Sequence, residues 1–466
     1  MIIISVIVKK PSAEKIGENT SRRLTLLESG GITQVIMRMS LPTIGSMLAI
    51  GVFYLADAAF ISRLGTARLS AISVSFPIFA VIGGIGQAFG AGAASLVSRL
   101  LGKGEDEKAS SAASAALFTA FFCGIAAASL SLLFLEPLLR LLGSSEAVLP
   151  FAMEYSRILI GANVLTLLNI TMSNLVRAEG NARLSMISVF LSAGMNILLD
   201  PLFIFAAGLG LKGAALATVI AQFSSFLLLS STFARKRNYS HISFSGWRRG
   251  IRYLPAILKV GAATFFLQLL GSVALAATNG AARRFGDHAV AAVGLTFRFL
   301  ALGMYPIYGF CVGLQPVVGY SFGAENMPRV YRSLRLALGW TGLFALLFSA
   351  CAVFFPAQIL AIFSSDPDVL AVGIRMIRWV TAFFPLFGVQ IVMAVFFQAL
   401  GRALPAALII LARQVLFFYP AIFILPRLLG LDGVIYSQPV SDVLTAALTA
   451  ILAIGVLRSL RKISNR

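Results

Sequence analysis

Two carboxylates stand inside apolar sequence, and membrane chemistry is first sought there. Asp57 lies in Phe53-Tyr54-Leu55-Ala56-Asp57-Ala58-Ala59-Phe60, and Asp200 in Asn196-Ile197-Leu198-Leu199-Asp200-Pro201. An acid within a bilayer span costs about 2.5–3.5 kcal/mol on insertion scales, so such residues are retained mainly for a task. Burial favours the neutral carboxyl, which suits a proton carrier. Asn196 and Asp200 are four apart and share one helix face. Pro201 lacks an N–H and crowds the Ile197 carbonyl, leaving that oxygen free to face a cavity. In the next apolar run Ala214 and Thr218 are also four apart and offer a carbonyl and a hydroxyl. Asp200, the Asn196 amide oxygen and the freed Ile197 carbonyl make a hard-cation site, to which Ala214 and Thr218 add a carbonyl and a hydroxyl; each acid also suits a proton carrier. Two plainer readings stay open: Asp57 paired with Arg63 at a membrane edge, and Asp200 merely solvated there.

Other residues in apolar runs are weighed beside these. Arg298 and Arg413 line a cavity, pair with an acid across the bundle, or snorkel to an edge. Tyr54, Gln268 and Met304 join them as candidate cavity residues. Pro42, in the same run as Asp57, is placed to bend that helix. In the second half Thr278 stands where Asp57 would fall, and Phe417 and Ala421 where Asn196 and Asp200 would. Ion chemistry is therefore expected in the first half only. Enzyme motifs are dismissed. There is no G-x-x-x-x-G-K-[ST] and no HExxH. The one G-x-S-x-G, Gly319 to Gly323, falls at the end of an apolar helix rather than on a strand–helix elbow. The only histidines are His241 and His288.

The elements that must position these groups follow from composition. Of 466 residues, 58% are hydrophobic and 12% charged, about half the charge of a soluble domain. Apolar runs fall at 32–62, 71–99, 110–135, 152–177, 184–207, 212–234, 254–281, 289–321, 332–360, 370–400, 404–426 and 433–458. Each is long enough to cross a hydrocarbon core of about 30 Å as a helix, and none shows the alternation of a membrane barrel. The net charge of +20 collects in alternate loops: around Arg22, Arg23 and Arg38, then Arg99 to Lys108, 235–259, Arg329 to Arg335, and from Arg458 onward. This pattern sets orientation in a membrane and does not signal nucleic acid. Both termini are expected in the cytoplasm, with an even number of spans. The opening MIIISVIV lacks a basic lead and a cleavage site, so it does not read as a signal peptide. Cys123, Cys311 and Cys351 fall inside spans with no CxxC spacing, as small buried residues.

The chain repeats itself. Gly65 and Gly286, Phe76 and Phe297, and Gly102 and Gly323 stand at one offset of 221 residues. The reading is an all-α integral membrane protein of twelve transmembrane helices in two pseudo-symmetric six-helix lobes. Residues 1–31 form a cytoplasmic tail, 32–234 the first lobe, 235–253 a basic linker, 254–458 the second lobe and 459–466 a cytoplasmic tail. Parallel repeats of this kind suit a substrate site at their interface and alternating access.

Five stretches resemble a known family: Asp57 followed by I-S-R-L-G, R177-A-E-G-N-A-R, N196-I-L-L-D-P-L-F-I-F, G208-L-G-L-K-G-A-A-L-A-T and Q315-P-V-V-G-Y-S-F-G-A. The chain resembles the multidrug and toxic compound extrusion (MATE) transporters over nearly all of 32–457. Arg298 and the R413-Q-V-L-F-F-Y-P stretch are similar to the MepA/DinF-type bacterial branch. The resemblance implies two lobes forming a V and efflux of cationic or amphipathic drugs in exchange for Na⁺ or H⁺. It places Asp57, Asn196, Asp200, Ala214 and Thr218 at the first-lobe cation site, and Pro42 at a helix-bending position. It implies no cofactor beyond the coupling ion, a monomer in contact with membrane lipids, and no nucleic-acid partner. A flippase of lipid-linked precursors is the alternative, which Arg298 and Arg413 keep open; a membrane enzyme and a channel are weaker readings.

Overall fold

The computed structural model describes residues 27–28, 30–235, 239–361 and 366–464. Arg22, Arg23, Lys236, Arg237 and most of the expected N-terminal tail lie outside them. The apolar helices among the described residues make twelve spans, each of two bent pairs counting as one. In the first lobe they are α1 (Ile32–Ser62), α2 (Thr66–Gly102), α3 (Asp106–Leu133), the pair α5–α6, α7 (Ala182–Pro201) and α8 (Gly210–Ala234). Short α4 (Leu135–Leu141) follows α3. The pair is α5 (Leu149–Gly161) and α6 (Asn163–Ala178), which meet at 48°.

A short helix, α9 (Phe244–Gly250), opens the second lobe. Its spans are α10 (Leu254–Ala282), α11 (Asp287–Gly323), α12 (Met327–Phe354), the pair α14–α15, α16–α17 and α18 (Leu431–Ser464). After short α13 (Pro356–Ala361), α14 (Pro367–Ala382) and α15 (Phe384–Ala399) meet at 45°. A π-helical stretch, Ala412–Phe418, joins α16 (Ala403–Leu411) to α17 (Tyr419–Leu429).

The 221-residue repeat is visible in the element bounds. α2 and α11 are 37 residues each, α3 and α12 are 28 each, and α6 and α15 are 16 each. Each member of a pair starts 221 residues after its partner. Gly65 and Gly286 precede α2 and α11 with φ of 102° and 99°, a backbone region open chiefly to glycine.

The bends at Ala162 and Phe383 are not apparent in hydropathy, because neither interrupts the apolar run. The second has a local cause. Pro385 cannot bond to the Thr381 carbonyl, and the Ser349 hydroxyl donates to that oxygen instead. The expected span at 332–360 ends at Phe354, where Phe355 breaks the helix before α13. The expected tail from 459 is the last helix continuing to Ser464.

The lobes meet at one end. Ser40 Oγ donates to the Phe310 carbonyl at 3.0 Å and Thr43 Oγ1 to the Gly309 carbonyl at 2.5 Å. Ser95 Oγ donates to the Gln398 carbonyl at 2.5 Å, and Arg99 Nη1 to the Ala399 carbonyl at 3.2 Å. Gly102 and Gly323, equivalent positions of the two halves, pack reciprocally: a Cβ on the first would overlap the Tyr320 carbonyl, and on the second the Arg99 carbonyl. This is the end carrying most of the arginines and lysines. Along α2 burial goes from nearly continuous over 84–101 to mixed over 66–79.

The basic linker is docked rather than simply solvated. Glu179 accepts from the Tyr239 and Ser240 N–H groups, both at 2.9 Å. Phe244 and Trp247 of α9 pack on Phe118 of α3. Phe and Trp supply the driving force here, and a carboxylate caps the turn before them.

Candidate functional site

Asp57 lies on α1 and Asp200 at the end of α7, both in the half of the first lobe away from the closed end. Asp200 is fully buried and Asp57 half-buried. They are close enough to interact electrostatically. One oxygen of each, Asp57 Oδ1 and Asp200 Oδ1, is buried with no hydrogen-bond partner. Buried polar atoms are nearly always satisfied, so two orphaned carboxylate oxygens in one lobe are unusual. No ion pair joins Asp57 to Arg63 among the described residues, and Asp200 is not at a wetted edge.

Asn196 connects this acid to the neighbouring helix. With its NH₂ facing the acid, it donates to Asp200 Oδ2 at 2.7 Å, while its oxygen lies 3.0 Å from Thr218 Oγ1 and 3.2 Å from Thr218 N. That orientation gives both ends of the amide a complementary partner. Thr218 Oγ1 also stands 3.0 Å from the Ala214 carbonyl. Asn196, Asp200, Ala214 and Thr218 thus meet on α7 and α8, while Asp57 stands on α1 with no hydrogen bond to them. Two details depart from the expectation: the amide presents hydrogens, not oxygen, to Asp200, and the Ala214 carbonyl already accepts a hydroxyl. Pro201 closes α7, and a π-helical turn, Leu202–Ala206, follows it. Pro42 is buried in α1, which continues as helix past it.

Two tyrosines escaped the sequence reading. Tyr155, on α5, is 6% exposed and within electrostatic reach of Asp57, Asp200 and Tyr54. Tyr305, on α11 of the second lobe, packs its ring on Gly51 of α1 and faces Tyr54. Neither belongs to a motif; only the folded chain brings Tyr155 to the acids and Tyr305 to Gly51 and Tyr54 of α1. Among the other candidates, Tyr54 is 53% exposed, Gln268 and Arg298 are exposed, and Met304 is half-buried. Arg298 forms no ion pair among the described residues, so it does not meet an acid across the bundle.

Arg413 does meet an acid. Its Nε donates to Asp442 Oδ1 at 2.8 Å, with side chains 8% and 3% exposed. Gln438 Nε2 donates to the same oxygen at 3.2 Å, Gln390 Nε2 to the Asp442 carbonyl at 2.7 Å, and Ser441 Oγ to the Arg413 carbonyl at 2.5 Å. The guanidinium lies over the Phe387 ring at 4.7 Å. The second half thus lacks acids at the positions equivalent to Asp57 and Asp200 but buries another, Asp442, at a different position. Asp442 aligns with Ala221 at the repeat offset, so comparing halves position by position passes over it. An inspection of the span 433–458 for any charged residue finds it.

The chemistry of the two lobes differs. The first presents unneutralised carboxylate oxygens, which a proton or small monovalent cation would satisfy. The second holds a carboxylate already neutralised by a guanidinium.

The MatE family model matches residues 42–202 and 262–423. The multidrug export protein MepA of Staphylococcus haemolyticus (strain JCSC1435) is 28% identical over 444 residues, covering 94% of this chain and 96% of that protein. The MepA of Staphylococcus aureus (strain MSSA476) is 27% identical over 443 residues with the same coverage. Among solved structures, an outward-facing conformation of a multidrug resistance MATE family transporter of the MOP superfamily superposes with a TM-score of 0.89 at 25% identity. It covers 94% of this chain and 98% of that one. A MOP superfamily transporter from Pyrococcus furiosus, described as having a binding pocket of reversed polarity, gives 0.88 at 25% identity, with coverage of 94% and 98%.

Proposed function

The chain belongs to the MatE family of multi-pass membrane transporters, and from that premise we propose that it is a secondary active multidrug efflux antiporter. It exports organic cations and amphipathic drugs in exchange for Na⁺ or H⁺ by alternating access. The observation that carries this reading is the pair of buried, unpartnered carboxylate oxygens on Asp57 and Asp200.

Two nearby carboxylates are hard to keep ionised together in a water-poor site. A captured proton or Na⁺ relieves the repulsion, with Asn196 and Thr218 holding the acid of α7 toward α8. A cationic drug carries the same charge and relieves it equally, so drug and ion compete. That competition is the physical basis of exchange. Specificity comes from charge and apolar contact, because the aromatic and aliphatic surroundings tolerate varied shapes.

The positive-inside rule places the basic, closed end in the cytoplasm, with both termini inside a cell membrane. Asp442 neutralises Arg413, which leaves Arg298 as the one of the two arginines free to attract the anionic headgroups a lipid-linked-precursor flippase would carry. The protein acts as a monomer in this reading.

The test is efflux of a fluorescent organic cation from vesicles under separately imposed Na⁺ and H⁺ gradients. One gradient is expected to drive transport, and Asp57→Asn and Asp200→Asn to abolish it at unchanged protein levels. Gradient-independent transport, or full activity in both variants, would overturn the proposal.

A further inference from the structure

A cavity of about 460 Å³ opens at the basic end of α12, lined by Pro328, Tyr331, Arg332 and Arg335. Arg332 and Arg335 are three apart, so their side chains emerge from one helix face. Both are exposed. Four exposed cations elsewhere sit against carboxylates: Lys108 against Glu105, Arg140 against Glu136 and Glu146, Lys212 against Glu154, and Arg375 against Asp432. Neither Arg332 nor Arg335 has a carboxylate partner among the described residues.

Two neighbours share the same deficit. Arg329 donates through Nη1 to the Gly30 carbonyl at 2.8 Å, but its Nε and Nη2 are buried and unpartnered. The Tyr331 hydroxyl is also buried and unpartnered. A guanidinium has only donors to offer, and the phenol has one. The missing partner is therefore an acceptor with several oxygens and a negative charge. The first turn of α12 adds the positive end of a helix dipole.

The surface farther along the helix identifies the rest of that molecule. Beyond the arginines, α12 exposes Trp340 (44%), Leu343 (55%), Leu346 (58%) and Leu347 (63%). These residues meet acyl chains in a membrane. From Arg335 to Leu347 the helix rises about 18 Å at 1.5 Å per residue, comparable to a fatty-acyl chain. We propose that this is a site for an anionic phospholipid. Its phosphate is held by Arg332, Arg335 and Tyr331, and its chains lie along the apolar strip of α12. Such basic pockets beside membrane helices suit anionic head groups.

The experiment is native mass spectrometry of the full-length protein in detergent, incubated with equal amounts of phosphatidylglycerol and phosphatidylcholine of identical chains. Wild type is expected to retain phosphatidylglycerol preferentially. Arg332→Gln/Arg335→Gln should weaken its retention roughly 30-fold, about fivefold per arginine. Arg332→Lys/Arg335→Lys should keep most of it. Arg235→Gln, an exposed cation with no such cavity, should leave it unchanged. Tyr331→Phe should weaken retention severalfold, which keeps the test readable if the double variant does not fold. Equal retention of both lipids, wild-type retention in the double Gln variant, or displacement of phosphatidylglycerol by millimolar inorganic phosphate would each overturn the proposal; the last would assign the site to free phosphate.

Discussion

Replacing Arg413 by Met removes the cation from a buried pair and leaves Asp442 with one amide donor, Gln438 Nε2, at 3.2 Å. Both side chains are under a tenth exposed, so water does not compensate the carboxylate. Breaking such a pair from one side costs about 3–5 kcal/mol, mostly the penalty of the stranded charge. Asp442→Leu strands the guanidinium over Phe387 and should cost a similar amount. Replacing both by apolar residues of similar volume is often neutral or stabilising. The double variant Arg413→Met/Asp442→Leu is therefore expected near wild type, although the single losses would sum to about 6–10 kcal/mol if independent. In a thermal melt of the detergent-solubilised protein each single variant should fall by roughly 4–8 °C, scaling from about 2–4 °C per kcal/mol in smaller domains. The double variant should recover most of that. A drop of under about 1–2 °C for Arg413→Met, or a double variant as unstable as the sum of the singles, would refute the reasoning and show that the pair is hydrated in the membrane.

Three further outcomes are expected from the geometry. Thr218→Val deletes the hydroxyl between Asn196 and the Ala214 carbonyl, a loss of about 1–2 kcal/mol. It should raise the driving-ion concentration needed for half-maximal efflux severalfold while drug binding persists, read by ion titration of transport. Gly102→Leu should prevent the reciprocal approach of α2 and α11 and abolish efflux at normal membrane levels, read with a fluorescent cation in vesicles. Glu179→Gln loses the charge that accepts from the Tyr239 and Ser240 N–H groups, about 1–3 kcal/mol of anchoring. Limited proteolysis around 235–243 should accelerate in that variant.

The legible parts of this protein are those written in local composition. The first span is expected and found at 32–62, because α1 runs without a break in its helical assignment. The 221-residue repeat survives as matched helix lengths because glycines at 65 and 286 impose the same turn on both halves. Asn196, Asp200, Ala214 and Thr218 could be grouped because spacing by four puts each pair on one face, and consecutive spans must pack side by side. The bends at Ala162 and Phe383 were not legible, since a broken helix and a straight one share the same hydropathy. Tyr155 reaches the acids, and Tyr305 reaches Gly51 of α1, through tertiary packing between helices far apart in sequence. Asp442 itself stands in plain view in the span 433–458, but its pairing was not legible. Its partner Arg413 is 29 residues away, and the pairing depends on a π-helical stretch that periodicity at 3.6 residues does not anticipate.

The central claim is that drug and ion compete for the acids of the first lobe. The most direct measurement is ion release from the purified protein on binding an organic cation, followed with a pH indicator in weak buffer and, in parallel, with radiolabelled Na⁺. The account predicts that wild type gives up its coupling cation, H⁺ or Na⁺, as drug binds, and that Asp57→Asn and Asp200→Asn release none. Drug binding to wild type with no release of either ion, or undiminished release from both variants, would contradict it.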